Sequence, residues 1–497
     1  MTGRIFRTVS ACLLIGHGCG VAAGVEVAPA KSARPNVVVI LLDNFGQEWF
    51  GCYGSDEGRT PRIDALAAGG VRFEHCYTAP ICGPSRTVLL TGRYPFRTGF
   101  TLHHDAGLYG GGGLDPKLET VFPRLFQAAG YKTAIAGKWQ INNLYDEPDA
   151  LARHGFDEHL VWPGSLDPAK LTGDDRSRFE RAIAADDVPT TVELIQKTES
   201  RYWDPSLIRN GHREVRPGEY APDLFQEFAP DFLTRHRDEP FLLYYPMVLT
   251  HGATFTQPVV PTPANRDANR PHEEIYGDMV AYADRLVGEV VAKLDELKLR
   301  DNTYVVIASD NGTESRLTAR FRGRTVHGGL YSLSEAGGDT ALIVNAPSRV
   351  PGRRTVKLAD FTDVFPTVCE LAGIAVPPNL VLDGRSQAAV LRGDPAAKPA
   401  REWIFNQLHT RRVVRDQRFK LYSTGELFDA EGDREETQNL AASDDPAVVA
   451  ARKRLEGVLA SLPPDSPPPI KLLSQSAFKL RAAGVKVAEP VRKTPEM

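Results

Sequence analysis

The sequence predicts an α/β fold: a large domain built on a mostly parallel sheet between helices, then a small C-terminal subdomain with an antiparallel sheet. Three observations predict it. Short, continuously apolar runs recur along residues 35–395 and end in polar residues, as strands buried on both faces do. Between them, apolar residues recur at helical spacing. After Trp403 the runs shorten and are separated by turns, the pattern of an antiparallel meander.

The elements follow in order. Arg4 and Arg7 precede a weakly apolar stretch over 9–23, and small residues at 21–23 and 28–30 offer cleavage sites. Residues 1–30 therefore read as a signal peptide of a secreted or periplasmic protein. The stretch is too short to span a bilayer, and no later segment is long and apolar enough, so no membrane span is expected. The run at 37–42 is the first buried strand and ends at Asp43-Asn44. Residues 61–68 and 121–129 are short helices, and the strand at 133–136 ends at Lys138. Residues 163–222 are rich in charge and proline and read as an insertion near the site with some helical content. The strand at 241–245 leads through Pro246 to His251. Residues 279–297 carry one apolar helical face and lead into the strand at 304–308, which ends at Asp310-Asn311. The catalytic domain is expected over 35–395 and the small subdomain over 396–462, with short strands at 413–414, 419–422 and 426–429. Residues 463–497 form a Pro-rich, then basic, loosely held tail.

The chain has 497 residues, 42% of them hydrophobic, which supports one large core and a smaller unit. A net charge of −4 with no basic-aromatic stripe gives no reason to expect a nucleic-acid partner. Of six cysteines, Cys12 and Cys19 fall in the leader. Cys52, Cys76, Cys82 and Cys369 are too sparse for a disulfide framework; Cys52 and Cys76 either pair or stay as thiols. There is no C-x-x-C motif and no zinc-type His/Cys cluster.

In open α/β sheets, ligands bind beyond the carboxyl ends of the strands. The four strand ends therefore bring Asp43-Asn44, Lys138, His251 and Asp310-Asn311 to one edge. Carboxylate and amide oxygens suit a hard cation, although either Asp-Asn pair would also serve as a turn. Residues 82–93 read C-G-P-S-R-T-V-L-L-T-G-R. Pro84 suits a first helical turn and Gly92 the position past a helix end. Cys82 then lies at a helix N-terminus, which favours an anion, and Arg86 follows one turn later on the same face.

That run resembles the sulfatase signature C-x-P-S-R-x-x-x-L-T-G-R, with every fixed position matched. R-P-N-V-V-V-I-L-L-D, T-P-R-I-D-A-L-A and S-D-N-G also look like sulfatase blocks, so the resemblance covers residues 35 to about 460. It implies an alkaline-phosphatase-like fold and a sulfuric ester hydrolase. Cys82 would be oxidised by a formylglycine-generating enzyme to formylglycine, the nucleophile. Asp43, Asn44, Asp310, Asn311 and the modified Cys82 would hold calcium. Asn44 stands where the family usually has Asp, and the lost charge implies weaker metal binding. Arg86 would hold the nucleophile, Lys138 would contact the sulfate, and His251 would protonate the leaving alcohol. Gln140 stands where the family often has His, and it can only hydrogen-bond.

By spacing before Glu335-Ala336-Gly337-Gly338, Leu330 occupies the place of a second sulfate-binding lysine. Arg322, Arg324 or His327 could return that charge, so Gln140 and His327 are the candidate substrate-binding residues. His103 and His104 read as a solvent-exposed turn. The class implies a sulfated poly- or oligosaccharide substrate. Two other readings stand beside it. One is a phosphate or phosphonate ester hydrolase of the same superfamily. The other is a non-catalytic glycan-binding homologue, motivated by Asn44, Gln140 and Leu330 and opposed by the intact C-G-P-S-R run.

Overall fold

Strand β1 (Asn36–Leu42) shows how the molecule is layered: Val37, Val39 and Leu41 pack into one apolar layer, and Val38, Ile40 and Leu42 into another. A computed structural model describes residues 34–102, 113–142, 144, 147–163, 173–185, 201–252, 260–261, 270–352, 354–397 and 400–466. The expected leader, His103 and His104, and the tail beyond 466 lie outside the described residues.

The strands follow in chain order. After β1 come β2 (Val71–Tyr77), β3 (Lys132–Lys138), β4 (Glu158–Trp162), β5 (Ser206–Arg209), β6 (His212–Val215), β7 (Phe241–Pro246) and β8 (Thr303–Ser309). Next are β9 (Thr318–Phe321) and β10 (Arg324–His327), a separate antiparallel ribbon. Then come β11 (Asp339–Thr340), β12 (Leu342–Asn345) and β13 (Arg354–Asp360). Last are β14 (Ile404–Leu408), β15 (Arg411–Arg415), β16 (Phe419–Tyr422) and β17 (Leu427–Asp429).

The large sheet runs β11-β2-β12-β8-β1-β7-β3-β4-β5-β6, with β13 beside β2. Its centre, β8-β1-β7-β3-β4, is parallel throughout. The helices Pro61–Ala68, Ala221–Arg235 and His272–Glu296 cover one face. Cys82–Thr91, Phe122–Ala128 and Val364–Leu371 cover the other. Burial on both faces explains why the central strands read as unbroken apolar runs.

The four runs that end in polar residues are the strands β1, β3, β7 and β8, as their composition predicts. Strands β2, β4, β12 and β13 were not predicted. In β2 the polar Arg72, Glu74 and His75 interrupt the apolar run, because that strand is only partly covered. The insertion has the helical content expected of it, and it adds strands that were not expected. It holds the helix Gly173–Ala185, but its β5-β6 hairpin adds two antiparallel strands to the sheet. Cys52, Cys76, Cys82 and Cys369 are all free thiols, so Cys52 and Cys76 do not pair.

The C-terminal sheet runs β14-β15-β16-β17, antiparallel throughout, under the helix Pro446–Ser461. Asp445 caps that helix, its Oδ1 accepting from the N–H groups of Ala447 and Val448. No described helix is long and apolar enough to cross a membrane.

Two buried histidines, His154 just before β4 and His159 within it, make stability pH-dependent. His154 Nε2 lies 3.0 Å from Leu114 O, and His159 Nε2 accepts from the Gly211 N–H at 2.7 Å. Burial lowers both from the ordinary 6.5 to about 4, so both are neutral in the folded chain at pH 7. The unfolded chain takes up these protons first, so stability falls as pH drops from about 7 to about 4. Urea titrations at pH 7 and pH 4.5 should show a loss of about 2–3 kcal/mol per histidine. His159→Gln, which keeps an acceptor, should remove part of the slope.

Candidate active site

Because β8, β1, β7 and β3 are adjacent and parallel, their carboxyl ends open on one edge. The backbone locks these ends together. Asp43 N–H donates to Leu249 O at 2.9 Å, Thr250 N–H to Asp43 O at 2.7 Å, and Asp310 N–H to Leu42 O at 3.0 Å. Asn44 takes the left-handed conformation (φ 56°), which asparagine tolerates better than most residues.

The helix Cys82–Thr91 is buried along its whole length. Ile81 before it is extended, and Pro84 lies in the first turn, where its missing N–H costs nothing. Gly92 ends it at φ 66°, its N–H donating to Val88 O at 2.9 Å. A Cβ on Gly92 would meet the Phe365 Cβ at 3.0 Å.

The side chains converge at the Cys82 end. Cys82 Sγ lies 3.4 Å from Asp43 Oδ1, 3.5 Å from Asn44 Oδ1 and 3.9 Å from His251 Nδ1. Arg86 Nη2 donates to Asp43 Oδ2 at 3.1 Å and to Asp310 Oδ2 at 2.7 Å, and Nη1 donates to Lys138 O at 3.1 Å. Lys138 Nζ donates to Asp43 Oδ2 at 2.5 Å. His251 Nδ1 lies 3.1 Å from Asp43 Oδ1. Asn44 N–H donates to Asp310 Oδ1 at 3.1 Å, and Asn311 Nδ2 to Asn44 Oδ1 at 2.6 Å.

Two carboxylates and two cations are thus packed with no exposure. Burial alone would raise the Asp43 carboxyl, but Lys138, His251 and Arg86 outweigh it and hold it well below the ordinary range. Asp310 is pushed up to about 6 by burial and by Asp43. The Cys82 thiol is raised well above its ordinary value by burial and then by Asp310 and Asp43. Burial and Arg201 push His251 down to about 3 against the pull of Asp43, so its imidazole is neutral, with 18% of the side chain exposed.

The donor set suits a hard divalent cation. Arg86 and Lys138 take the Oδ2 atoms of the two aspartates, leaving Asp43 Oδ1 and Asn44 Oδ1 facing Cys82. Asn311 Oδ1 is buried and accepts no hydrogen bond among the described residues. A buried carbonyl oxygen beside carboxylate oxygens is what calcium or magnesium coordinates.

Gln140 follows β3 at φ 59°, with its Oε1 buried and unpartnered among the described residues. His327 and Arg324 are exposed on the β9-β10 ribbon, and among the described residues neither side chain bonds to the cluster. Arg322 is turned away, donating to Tyr53 O from Nε at 3.2 Å and from Nη2 at 3.1 Å. Leu330 is half-buried, its N–H donating to Thr313 O at 2.9 Å.

Two residues at the site escaped the sequence reading. Tyr202 donates to His251 O at 2.6 Å and Val248 O at 3.0 Å, and Glu314 Oε1 accepts from Gly252 N–H at 2.9 Å. The first lies in a segment without periodicity. The second sits five residues beyond the end of β8, where nothing in composition marks it.

Arg86 neutralises two buried carboxylates at once, so Arg86→Met should lower the unfolding free energy by about 3–5 kcal/mol. Adding Asp310→Asn should recover part of that loss, measured by urea denaturation.

Known proteins resemble this chain over most of its length. The Sulfatase family model matches residues 35–374. Mouse (Mus musculus) steryl-sulfatase is 32% identical over 77% of this chain and 69% of its own length. Dog (Canis lupus familiaris) N-acetylgalactosamine-6-sulfatase is 32% identical, over 73% of this chain and 67% of its own. The crystal structure of Ps i-CgsB in complex with k-i-k-neocarrahexaose shares the fold at a TM-score of 0.70 and 22% identity, covering 91% of this chain and 98% of that one. With an alkaline-phosphatase-like sheet, the C-G-P-S-R helix at its carboxyl edge and these relatives, the chain belongs to the sulfatase family of sulfuric ester hydrolases.

Proposed function

We propose that this protein is a secreted sulfatase that removes sulfate from a sulfated poly- or oligosaccharide, using formylglycine made from Cys82 and a bound calcium. One observation carries the reading: Cys82 Sγ stands within 3.9 Å of Asp43, Asn44 and His251, over a buried Arg86–Asp43–Lys138 network. The unmodified thiol is held protonated there, so Cys82 itself is a poor nucleophile at neutral pH. Conversion by a formylglycine-generating enzyme supplies a hydrated aldehyde as oxygen nucleophile, and calcium supplies positive charge to the sulfate oxygens.

The chain's own residues do the rest. Asp43, Asn44, Asp310 and Asn311 hold the cation, and Arg86 fixes both aspartates so that they do not repel each other. Lys138 lies beside the attacking position and balances charge that grows on sulfate in the transition state. His251 stands against Cys82, beside the position a departing alcohol oxygen would take; its imidazole is neutral, so it must gain a proton before it can act as the acid. The dog relative named for N-acetylgalactosamine 6-sulfate supports a carbohydrate ester over a phosphate ester.

Protein from a host able to make formylglycine should yield a tryptic peptide over residues 73–86 with Cys82 converted. Finding only the thiol by mass spectrometry would count against the reading. Chelation should lower activity and melting temperature together, because a ligand bound only to the folded state stabilises it. Asn44→Asp should tighten calcium binding by about tenfold or more by calorimetry, since affinity follows ligand charge.

The altered cradle predicts a narrow enzyme. Losing one oxyanion contact costs about 10²–10³ in rate, and only a substrate with remote contacts can recover it. Free-sulfate release across a glycan panel should therefore exceed aryl sulfate turnover for at least one saccharide. Binding without turnover by the modified, calcium-loaded protein would favour the glycan-binding reading.

A further inference from the structure

Two segments of the site are fastened to one loop. Residues 328–338 connect the β9-β10 ribbon to β11. On the side of Asp310-Asn311, Gly312 N–H donates to Gly337 O at 3.0 Å, and Leu330 N–H donates to Thr313 O at 2.9 Å. On the side of Cys82, Tyr331 N–H donates to Pro80 O at 3.1 Å, and Thr78 N–H donates to Gly338 O at 2.9 Å. The residues just after the aspartate-asparagine pair and those just before the reactive helix are therefore tied to the same short stretch of backbone. Beyond the four-residue helix Glu335–Gly338, that stretch has no regular structure to set its own place.

Two buried cations from the C-terminal sheet hold it. Lys420, on β16, has a fully buried side chain. Its Nζ donates to Leu333 O at 2.6 Å, to Glu335 Oε1 at 3.0 Å and to Glu436 Oε1 at 2.6 Å. Arg415, on β15, is buried too and pairs with Glu335 Oε2. Tyr77 ends β2 and leads into Thr78, and its hydroxyl donates to Glu335 Oε1. Leu333 shares an apolar cluster with Tyr77, Val413 and Tyr422. Glu335 is thus gripped by both sheets, and Leu333 O is gripped by Lys420.

We propose that Lys420 and Arg415 are positioning residues for the reaction: through Glu335 and the 328–338 loop, they fix where Cys82 stands relative to Asp310-Asn311. This assignment rests on the sulfatase reading of that site and adds to it. A reactive constellation works only when its groups are held within about 0.5 Å by residues that are themselves locked in place. Bonds from a charged amine are strong where water is excluded. Removing the Lys420 amine strips a bond from Leu333 O and from Glu335 in an interior that offers no water in exchange. The loop then loosens while the two sheets and their cores stay packed.

The test uses the full-length protein. Native-state hydrogen exchange with Cys82 unmodified should show Lys420→Met speeding exchange about tenfold or more in peptides covering Thr78, Gly312 and Leu330-Tyr331, with β1 and β8 unchanged. Calorimetry with calcium should show affinity falling about tenfold or more in the same variant. In the formylglycine form, kcat for the best saccharide should fall while KM moves by less than about threefold. Leu455→Ala is the control, since it opens a cavity in the separate apolar cluster between the C-terminal sheet and its helix. It should destabilise the same subdomain yet leave exchange at these amides and calcium affinity within about twofold of wild type. Circular dichroism checks that each variant folds, and Lys420→Gln provides the readout if Lys420→Met does not. Wild-type exchange in the folded Lys420 variant overturns the proposal, as does equal loosening by Leu455→Ala. Loosened amides with unchanged affinity, in a protein whose wild type binds calcium, overturn it as well. If wild-type protein binds no calcium and turns over nothing while exchange follows Lys420, the hydrolase reading fails and the tie between loop and site stands.

Discussion

Arg86 is the tie on which the site depends. Asp43 and Asp310 come from adjacent strands, and the parallel register of β1 and β8 forces them together at the sheet edge. Two buried carboxylates that close repel strongly and resist joint ionisation. One guanidinium nitrogen bonding both, with another bonded to Lys138 O, turns that repulsion into a fixed cradle. The helix Cys82–Thr91 carries both Arg86 and Cys82, so the residue that neutralises the aspartates also fixes where Cys82 stands. A buried ion network of this kind adds little net stability, but it is costly to break, which makes it a positioning device.

A second buried network ties the small C-terminal sheet to the site. His75, Glu335 and Asp339 are grouped closely enough to suit a metal. Arg415 and Lys420 fill that role instead. Arg415 pairs with Glu335, and Lys420 Nζ bonds Glu335 at 3.0 Å and Leu333 O at 2.6 Å. The Glu335 carboxyl is held low by these two cations against the cost of its burial. The same short segment reaches the active site through Gly312 N–H, which donates to Gly337 O at 3.0 Å. Gly312 has to be glycine, since a Cβ would lie 1.8 Å from Ala336 O. Strands β15 and β16 therefore help hold Asn311 in place from outside the catalytic sheet.

The parts of the site legible in the chain were those encoded locally. Asp43-Asn44, Lys138 and Asp310-Asn311 directly follow strands buried on both faces, and such strands announce themselves as unbroken apolar runs. The Cys82 helix was legible because proline, cysteine, arginine and glycine sit at offsets set by one helical turn and one left-handed cap. Strand β2 stayed hidden because Arg72, Glu74 and His75 break its apolar run, although it pairs with β11, β12 and β13. Tyr202 and Glu314 stayed hidden because their bonds to the His251-Gly252 turn join segments distant in the chain. Arg322 was a plausible cation by position alone, and only its bond to Tyr53 O shows that it is committed elsewhere.

The fold class, the polar ends of the central strands and the helix that carries Cys82 and Arg86 were readable from the chain alone, because each depends on residues within a few positions of one another. Packing alone decided which cations answer which carboxylates and which thiols stay apart. Those outcomes depend on strand register and on the packing of an insertion with no periodicity. No local pattern brings residue 202 to residue 251, but the packed insertion does, through the Tyr202 hydroxyl.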